Sequence, residues 1–399
     1  MIEGSLPPAL AEALKRTRDG ADVMPESQLL VTLEGELGPD WRNRFASFEM
    51  VPFAAASIGQ VHRATLPDGR NVAVKVQFPG VAESISSDLR NLKMLVQWTR
   101  LLPRSLFLDV LCDEMKTELL AECDYRNERR FYEHFRFLLE RDFPSAFYVP
   151  RVYGEISTKK ILVTDFVEGL PFEQVALRQD ISQSTRDSIS ERLLKLVLAE
   201  IFVYRLLNTD ANPSNFFYLA EKDSLALIDF GAGRTYEPAF IDKYLRLLHA
   251  AVHEREAVVK RLAAELGFFG GSSSPEFLQA QANVFLAFAQ CFRPLNHQAS
   301  RVGKTDVSFL GHNDDMRPKY SFRNSNVFGQ LHAEMQKVML NRERPPPPEI
   351  YSLHRKLAGC FLLCAKLGGR VDTPKIFAEV LEAYRAPDGG PFRPEPGQE

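Results

Sequence analysis

The chain has little of what marks a secreted or membrane-spanning protein. Five cysteines in 399 residues (Cys112, Cys123, Cys291, Cys360 and Cys364) are too few and too scattered for a disulfide framework. None pairs at a zinc-ligand spacing. Cys360 and Cys364 stand one helical turn apart in an apolar stretch, the pattern of reduced, buried thiols, which suits an intracellular or matrix compartment. Long hydrophobic runs are missing too. The longest, Leu193 to Leu207, is interrupted by Lys195, Glu200 and Arg205 and reads as an amphipathic helix, not a bilayer crossing. Met1 to Pro8 have neither the basic amphipathic nor the apolar character of a targeting peptide. A charge excess is also absent: 49 Lys and Arg against 52 Asp and Glu leave −3, which gives no general attraction to nucleic acid or anionic surfaces.

Several catalytic signatures are lacking as well. No Gly-x-Ser-x-Gly elbow occurs, and Gly303-Lys304-Thr305 is not a P-loop because Gln298 stands where its first glycine belongs. His249 and His253 share a helix face without a glutamate at zincin spacing. What the chain does have is 45% hydrophobic and 25% charged residues, enough for one large two-lobed unit or two ordinary domains.

Periodicity orders that unit. Pro8 to Phe48 reads as helical, punctuated by Gly38-Pro39. A β-hairpin follows, with strands Gln60 to Leu66 and Asn71 to Phe78 joined at Pro67-Asp68-Gly69. In its second strand Val72, Val74, Val76 and Phe78 share one face while Ala73, Lys75 and Gln77 share the other. Helices are expected over Val81 to Leu102 and Leu108 to Glu140, the latter with a buried stripe of Leu111, Met115 and Leu119. Strands resume at Phe147 to Ile156 and Ile161 to Val167, and Glu168-Gly169-Leu170-Pro171 breaks the pattern as a hinge. Ser182 to Leu207 is a long helix with Ile189, Leu193, Val197 and Ile201 in register. A small hairpin, Phe216 to Leu219 and Ser224 to Ile228, comes next. The remainder is mostly helical, with a polar stretch from Arg293 to Gly329 and a tail after Ala386 that reads as disordered.

Three segments then describe phosphate chemistry. Lys75 sits mid-strand among apolar neighbours, where an ammonium needs a carboxylate or a phosphate; the alternative is an edge-strand lysine facing water. Glu128 is the best internal partner, with Glu118, Glu122 and Asp124 in competition. Asp210 and Asn215 lie five residues apart with Pro213 between them to stop a helix. An aspartate there can accept a hydroxyl proton and an amide oxygen can ligate magnesium, although a turn serving only its own backbone would look similar. Asp229-Phe230-Gly231 follows a short hairpin and supplies a second hard oxygen ligand. Cation, then acid and amide, then acid, is the order in which a protein-kinase-like fold holds a nucleoside triphosphate and Mg²⁺. The turn Phe53 to Val61 occupies the place of the usual glycine-rich cover, but its Ala54-Ala55-Ala56 cannot take positive φ without strain. Nucleotide handling should therefore differ from that of an ordinary protein kinase.

With these residues in view, the chain resembles the UbiB-type, aarF-domain family of atypical kinase-like proteins of coenzyme Q biosynthesis. The resemblance rests on Ala54 to Val61, Val72 to Val81, Glu122-Cys123-Asp124-Tyr125, Thr209-Asp210 through Asn215-Phe216-Phe217, and Leu227 to Ala232. Tyr351 to Lys356 looks like the eukaryotic mitochondrial branch. It implies an α+β, two-lobed kinase-like fold that binds ATP or ADP with Mg²⁺. The implied layout is a helical extension over 1–49, an N-lobe with a helical insert over 50–168, a C-lobe over 169–386 and a disordered tail over 387–399.

By the same resemblance Lys75 contacts the phosphates and pairs with Glu128, and Ala54, Ala55, Ala56 and Ser57 cover them. Thr164, Asp165, Phe166 and Val167 form the hinge that touches adenine. Glu122 and Asp124 are the Glu-x-Asp pair, Asp210 is the acid-base residue, and Asn215 and Asp229 hold the metal. Implied partners are the ubiquinone-biosynthesis protein complex, a lipid or prenylated quinone precursor, the matrix face of the inner mitochondrial membrane and a homodimer mate, with no nucleic acid. Two departures stand out: the family's Lys-x-Gly-Gln helix would precede Leu6 to Pro25, and residues 293–329 do not follow the family pattern. Three readings compete: an ATPase or small-molecule kinase, a nucleotide-gated, chaperone-like module that presents a prenylated precursor and, given the two departures, an inactive fragment.

Overall fold

A computed structural model describes residues 23–99, 107–269, 273–294, 307–308, 319–342 and 344–395. The chain enters through helix α1 (Glu26–Leu37), a 3₁₀ turn (Trp41–Arg44) and strand β1 (Ser47–Phe48), followed by β2 (Ala54–Ala56), β3 (Gly59–Thr65) and β4 (Asn71–Gln77). Helices α2 (Val81–Thr99), α3 (Leu108–Glu122) and α4 (Tyr125–Asp142) are inserted before β5 (Phe147–Tyr148) and β6 (Ile161–Asp165). β3 pairs with β1, β2 and β4, and β4 pairs with β6, all antiparallel. Gly69, at φ +86°, makes the turn between β3 and β4.

The alternation in β4 decides what this sheet does. Val72, Val74 and Val76 are wholly buried on one face against Leu29, Leu33, Trp41 and Phe45. Each such aliphatic side chain contributes about 1.5–3 kcal/mol on burial. The opposite face carries Lys75 towards the second lobe. Residues 23–49, expected to be a helical extension, are thus part of the small-lobe core, and only Glu26–Leu37 of the described part is α-helical. Leu6 to Asp22 lie outside the described residues.

The insert differs from the expected single helix. Leu108 to Glu140 is broken at Cys123-Asp124, because the Asp124 side chain accepts a hydrogen bond from the Arg126 backbone N–H and starts α4 afresh. The expected stripe is not built either: Met115 is exposed and Leu119 half-buried, while the side chain of Leu111 lies outside the described residues. The strand expected over Phe147 to Ile156 is only the two-residue β5 and an isolated bridge from Val152 to Thr164.

The large lobe begins at β7 (Leu170–Pro171), α5 (Phe172–Leu177) and α6 (Gln183–Leu198), the last capped by Ser182. Ile189, Leu193, Val197 and Ile201 are all buried, as their spacing requires. The helix does not run on to Leu207. It widens into a π-helical turn, Ala199–Tyr204, and stops where Arg205 adopts φ +53°. Strands β8 (Leu206–Asn208), β9 (Phe216–Leu219), β10 (Ser224–Leu227) and β11 (Gly233–Thr235) follow. β8 pairs with β11, and β9 and β10 form a hairpin flanked by β7 and, in parallel, β5. The polar loops after β8 and β10 are thereby held side by side.

Helices α7 (Pro238–Val252), α8 (Glu256–Glu265) and α9 (Pro275–Ala289) complete the first half of this lobe. Then come β12 (Val307–Ser308), β13 (Lys319–Ser321), α10 (Val327–Asn341), α11 (Pro348–Leu367), β14 (Arg370–Val371) and α12 (Thr373–Ala383). Within the unmatched stretch 293–329, residues 295–306 and 309–318 lie outside the described set. Its β13 pairs with both β12 and β14, and Tyr320 and Phe322 are buried. Of the tail expected to be disordered, residues 387–395 are mostly exposed but anchored at two side chains, and 396–399 lie outside the described residues. Phe392 stacks near His249 and Tyr384, and the Glu395 carboxylate bridges Arg246 and Arg261. Among the described residues no helix is long and apolar enough to cross a membrane.

Candidate nucleotide and metal site

β4 delivers Lys75 and the first turn of α4 delivers Glu128, 2% exposed. The Lys75 ammonium donates to both Glu128 carboxylate oxygens at 3.0 Å and lies 3.4 Å from Asp229 Oδ2. Among the competing acids, Glu128 is therefore the partner. Asp229 stands at the end of β10, where its Oδ1 accepts from the Gly231 N–H at 2.9 Å. Phe230 is wholly buried against Tyr132 and Phe135 of α4, so the Asp229 turn is anchored to the helix that carries Glu128.

The Asp210 loop is ordered by its own polar side chains. Asp210 Oδ1 accepts from the Asn212 N–H at 3.1 Å and Oδ2 accepts from Asn215 Nδ2 at 2.8 Å. Asn212 in turn caps the Pro213–Asn215 turn. The Asn215 amide nitrogen is committed to Asp210, its Oδ1 accepts from Ser214 Oγ at 3.5 Å, and the residue is buried behind the cleft lining. Asn208 joins the two loops by donating from Nδ2 to the Asp229 carbonyl at 2.7 Å.

Lys75, Glu122, Glu128, Asp210 and Asp229 line one cleft together with Ser57, Ile58, Tyr125, Gly231 and Ala232. Four carboxyl groups thus face one ammonium. Burial pushes the Glu122 carboxyl up to about 7, helped by Asp229 and opposed by Lys75. Burial likewise raises Glu128 to about 7, against the pull of Lys75 and with the push of Asp229. Burial alone would lower the Lys75 pKa, but Asp229 and Glu128 outweigh it and hold the ammonium well above the usual lysine range. Burial is the leading cause at both carboxyls, and the surplus of acidic groups around the single lysine adds to it.

Other expected residues are not brought to this cleft. Asp124 is engaged in capping α4 and in an ion pair with Arg126 at 2.6 Å. The Asp165 carboxylate is filled by Tyr148 Oη, the Arg151 N–H and Tyr153 Oη at 2.8, 2.9 and 2.7 Å, and its backbone N–H donates to the Arg151 carbonyl at 3.0 Å. Thr164 is buried in register with Ala73, and the Phe166 ring packs on Phe53 with the Arg63 guanidinium over it. Ala54, Ala55 and Ala56 are extended and pair with Val61, Gln60 and Gly59, leaving Ser57-Ile58 as the hairpin tip above the cleft. None of these three alanines takes positive φ, in keeping with a cover unlike a glycine-rich loop.

Sequence reasoning missed Tyr125, whose ring lies 5.1 Å from the Lys75 ammonium and whose buried hydroxyl has no hydrogen-bond partner among the described residues. Its place directly after Glu-x-Asp was the available signal. Glu200 and Lys356 were missed as well. They form a sealed ion pair at 3.5 Å behind the Asp210 loop, and only their appearance as charges in apolar helices could have flagged them.

Comparison with known proteins identifies the family. Residues 16–263 match the ABC1 atypical kinase-like domain. The chain is 38% identical over 384 residues to "Atypical kinase COQ8, mitochondrial" of Saccharomyces cerevisiae, covering 96% of this chain and 71% of that protein. It is 36% identical over 378 residues to "Atypical kinase COQ8B, mitochondrial" of Danio rerio, covering 95% of this chain and 56% of the relative. The chain thus spans little more than half the length of that relative. Among solved structures, Rv3197 of Mycobacterium tuberculosis in complex with erythromycin aligns with a TM-score of 0.62 at 24% identity, over 95% of this chain and 89% of that one, a likeness of fold. The two-lobed α+β architecture, the ordered site segments and these matches lead to one assignment: the chain belongs to the ABC1 atypical kinase-like family.

Proposed function

We propose that the chain binds ATP or ADP with Mg²⁺ between its lobes and, as an ATPase or small-molecule kinase, supports coenzyme Q synthesis. One observation carries the reading: Glu122, Glu128, Asp210 and Asp229 surround a single ammonium, an imbalance that a divalent cation relieves. The donors fit a hard cation. Among the described residues no three His, Cys, Asp or Glu side chains form a self-sufficient metal cage. Mg²⁺ held with a nucleotide needs only one or two protein oxygens, its other ligands being phosphates and waters. Asp229 and Asn215 would hold it, and when bound it neutralises charge developing on the phosphates.

In this reading Lys75, oriented by Glu128, contacts the phosphate tail, and the Ala54–Ser57 hairpin lies over it. The backbone of Thr164 to Val167 edges the adenine. Asp210, with its carboxylate oriented by Asn212 and Asn215, accepts the proton of the attacking hydroxyl or water. Glu122, which lines the same cleft, would add negative charge beside the bound metal. The mitochondrial names of the relatives support a mitochondrial setting, with the quinone-assembly proteins and a prenylated precursor as partners at the inner-membrane surface.

Asp210→Asn tests the enzymatic reading. ATP turnover should be lost while Mg-nucleotide is still bound, and cells carrying only this variant should be short of the quinone. Restored quinone levels with that variant would contradict the enzymatic reading and favour a nucleotide-gated module.

A further inference from the structure

Behind the Asp210 loop, on the side away from the cleft, lies α11. It is outside residues 16–263, the region matched to the family domain. Three of its residues meet three successive residues of the loop. The Arg355 guanidinium donates to Thr209 Oγ1 at 3.1 Å, and the Lys356 ammonium reaches the Asp210 carbonyl at 3.5 Å. At Gly359 the helix comes so close that an added methyl would stand 2.4 Å from the Ala211 Cβ. This last contact requires glycine for space, since Gly359 lies inside a regular helix.

Lys356 is 1% exposed, and such a charge needs a counter-charge. Glu200, itself fully buried, supplies it: Glu200 Oε2 is 3.5 Å from the Lys356 ammonium and also accepts from the Asn208 N–H at 3.3 Å. The π-helical turn after α6 is what presents Glu200 here. Asn208 then donates to the Asp229 carbonyl. The buried pair therefore touches the backbone on both sides of the site, Asp210 directly and Asp229 through Asn208. Arg355 adds a link to the small lobe's insert, since it also lies 3.4 Å from Glu118 of α3.

We infer that Lys356, neutralised by Glu200, is a positioning residue that fixes the Asp210 loop from behind, with Arg355 and Gly359 completing the clamp. Neither Lys356 nor Glu200 lines the cleft, so the clamp acts on the aim of the Asp210 carboxylate and not on nucleotide capture. This inference rests on the proposed role of Asp210, but its structural half does not depend on catalysis.

The test uses Lys356→Met combined with Glu200→Gln, because removing the lysine alone would strand a buried carboxylate and endanger folding. Gly359→Ala serves as an independent variant that leaves every charge in place. Mg-ADP affinity should stay within about twofold of the native protein in both, with KM likewise unchanged. Turnover per folded molecule should drop about tenfold or more, the scale expected when a reacting group is slightly misplaced. Amide hydrogen exchange at residues 208–212 should quicken while exchange in β3 and β4 does not. Native exchange at 208–212 in both variants would overturn the clamp, as would native turnover. If the native protein itself shows no turnover, the enzymatic reading fails, and the exchange measurement alone still decides the clamp.

Discussion

Two buried Lys–Glu pairs flank the same loop, and their surroundings give them different work. Lys75–Glu128 opens onto a cleft where Glu122, Asp210 and Asp229 add uncompensated negative charge. Lys356–Glu200 is sealed, 2% and 0% exposed, and its remaining contacts are backbone groups. The first pair is incomplete without a cation; the second lines no cleft, although Glu200 Oε1 is buried without a hydrogen-bond partner among the described residues. Identical side-chain chemistry thus becomes a ligand site or an internal brace according to what else is buried beside it.

Substituting each lysine should separate these roles most strongly. Lys75→Met should weaken Mg-nucleotide binding by about a hundredfold, since a desolvated charged contact to phosphate is lost. Lys356→Met should leave that affinity nearly native but lower unfolding free energy by about 3–5 kcal/mol, the cost of a stranded buried charge. Calorimetric titration and urea unfolding read the two effects; equal loss of affinity in both variants would erase the distinction.

Acidity offers a second, smaller contrast. Glu122, Glu128 and Glu200 are each raised by burial from 4.5 to about 7. A carboxyl with a raised folded pKa keeps its proton longer in the folded state than in the unfolded one. Its stabilisation is full below about 4.5 and fades as pH rises through about 7. Melting temperature of the ligand-free protein should therefore fall across that window. Mg-nucleotide should flatten the part due to Glu122 and Glu128, while the part due to Glu200 persists, and Glu200→Gln should remove it. A melting temperature that climbs from pH 5 to 7 without ligand would contradict this assignment.

Two controls have still smaller effects. Asp165→Asn should cost about 1–2 kcal/mol of stability through its three hydrogen-bond partners and leave nucleotide affinity unchanged. Asp124→Ala should cost about 1 kcal/mol as a lost helix cap, again with native affinity. A marked loss of binding in either would return that carboxylate to the site.

How much of this was legible in the chain follows from how local each signal is. The valine alternation of β4 and the turn at Gly69 dictate the hairpin, so the direction of Lys75 could be read directly. Asp210 and Asn215 lie in one short loop broken by Pro213, and Asp229 ends a hairpin, so their positions were also local matters. Glu128 was read as the best partner of Lys75, but Glu118, Glu122 and Asp124 stayed in competition because the break at Asp124 resets the phase of the helix that carries Glu128. The same break turns Asp124 from a pocket residue into a cap. The tail was misread because its polar composition hides two long-range contacts, Phe392 on α7 and Glu395 between Arg246 and Arg261. Lys356 gave only one local sign, a charge set in an apolar helix, because its partner Glu200 lies in another helix.

The central claim is that Lys75, Asp210, Asn215 and Asp229 serve one metal-dependent nucleotide site. Isothermal titration of ADP into the native protein and into Asp229→Asn, with Mg²⁺ and with EDTA, tests it most directly. Binding should require Mg²⁺ in the native protein and be weakened more than about a hundredfold in Asp229→Asn. Metal-independent binding that the substitution leaves untouched would contradict the account.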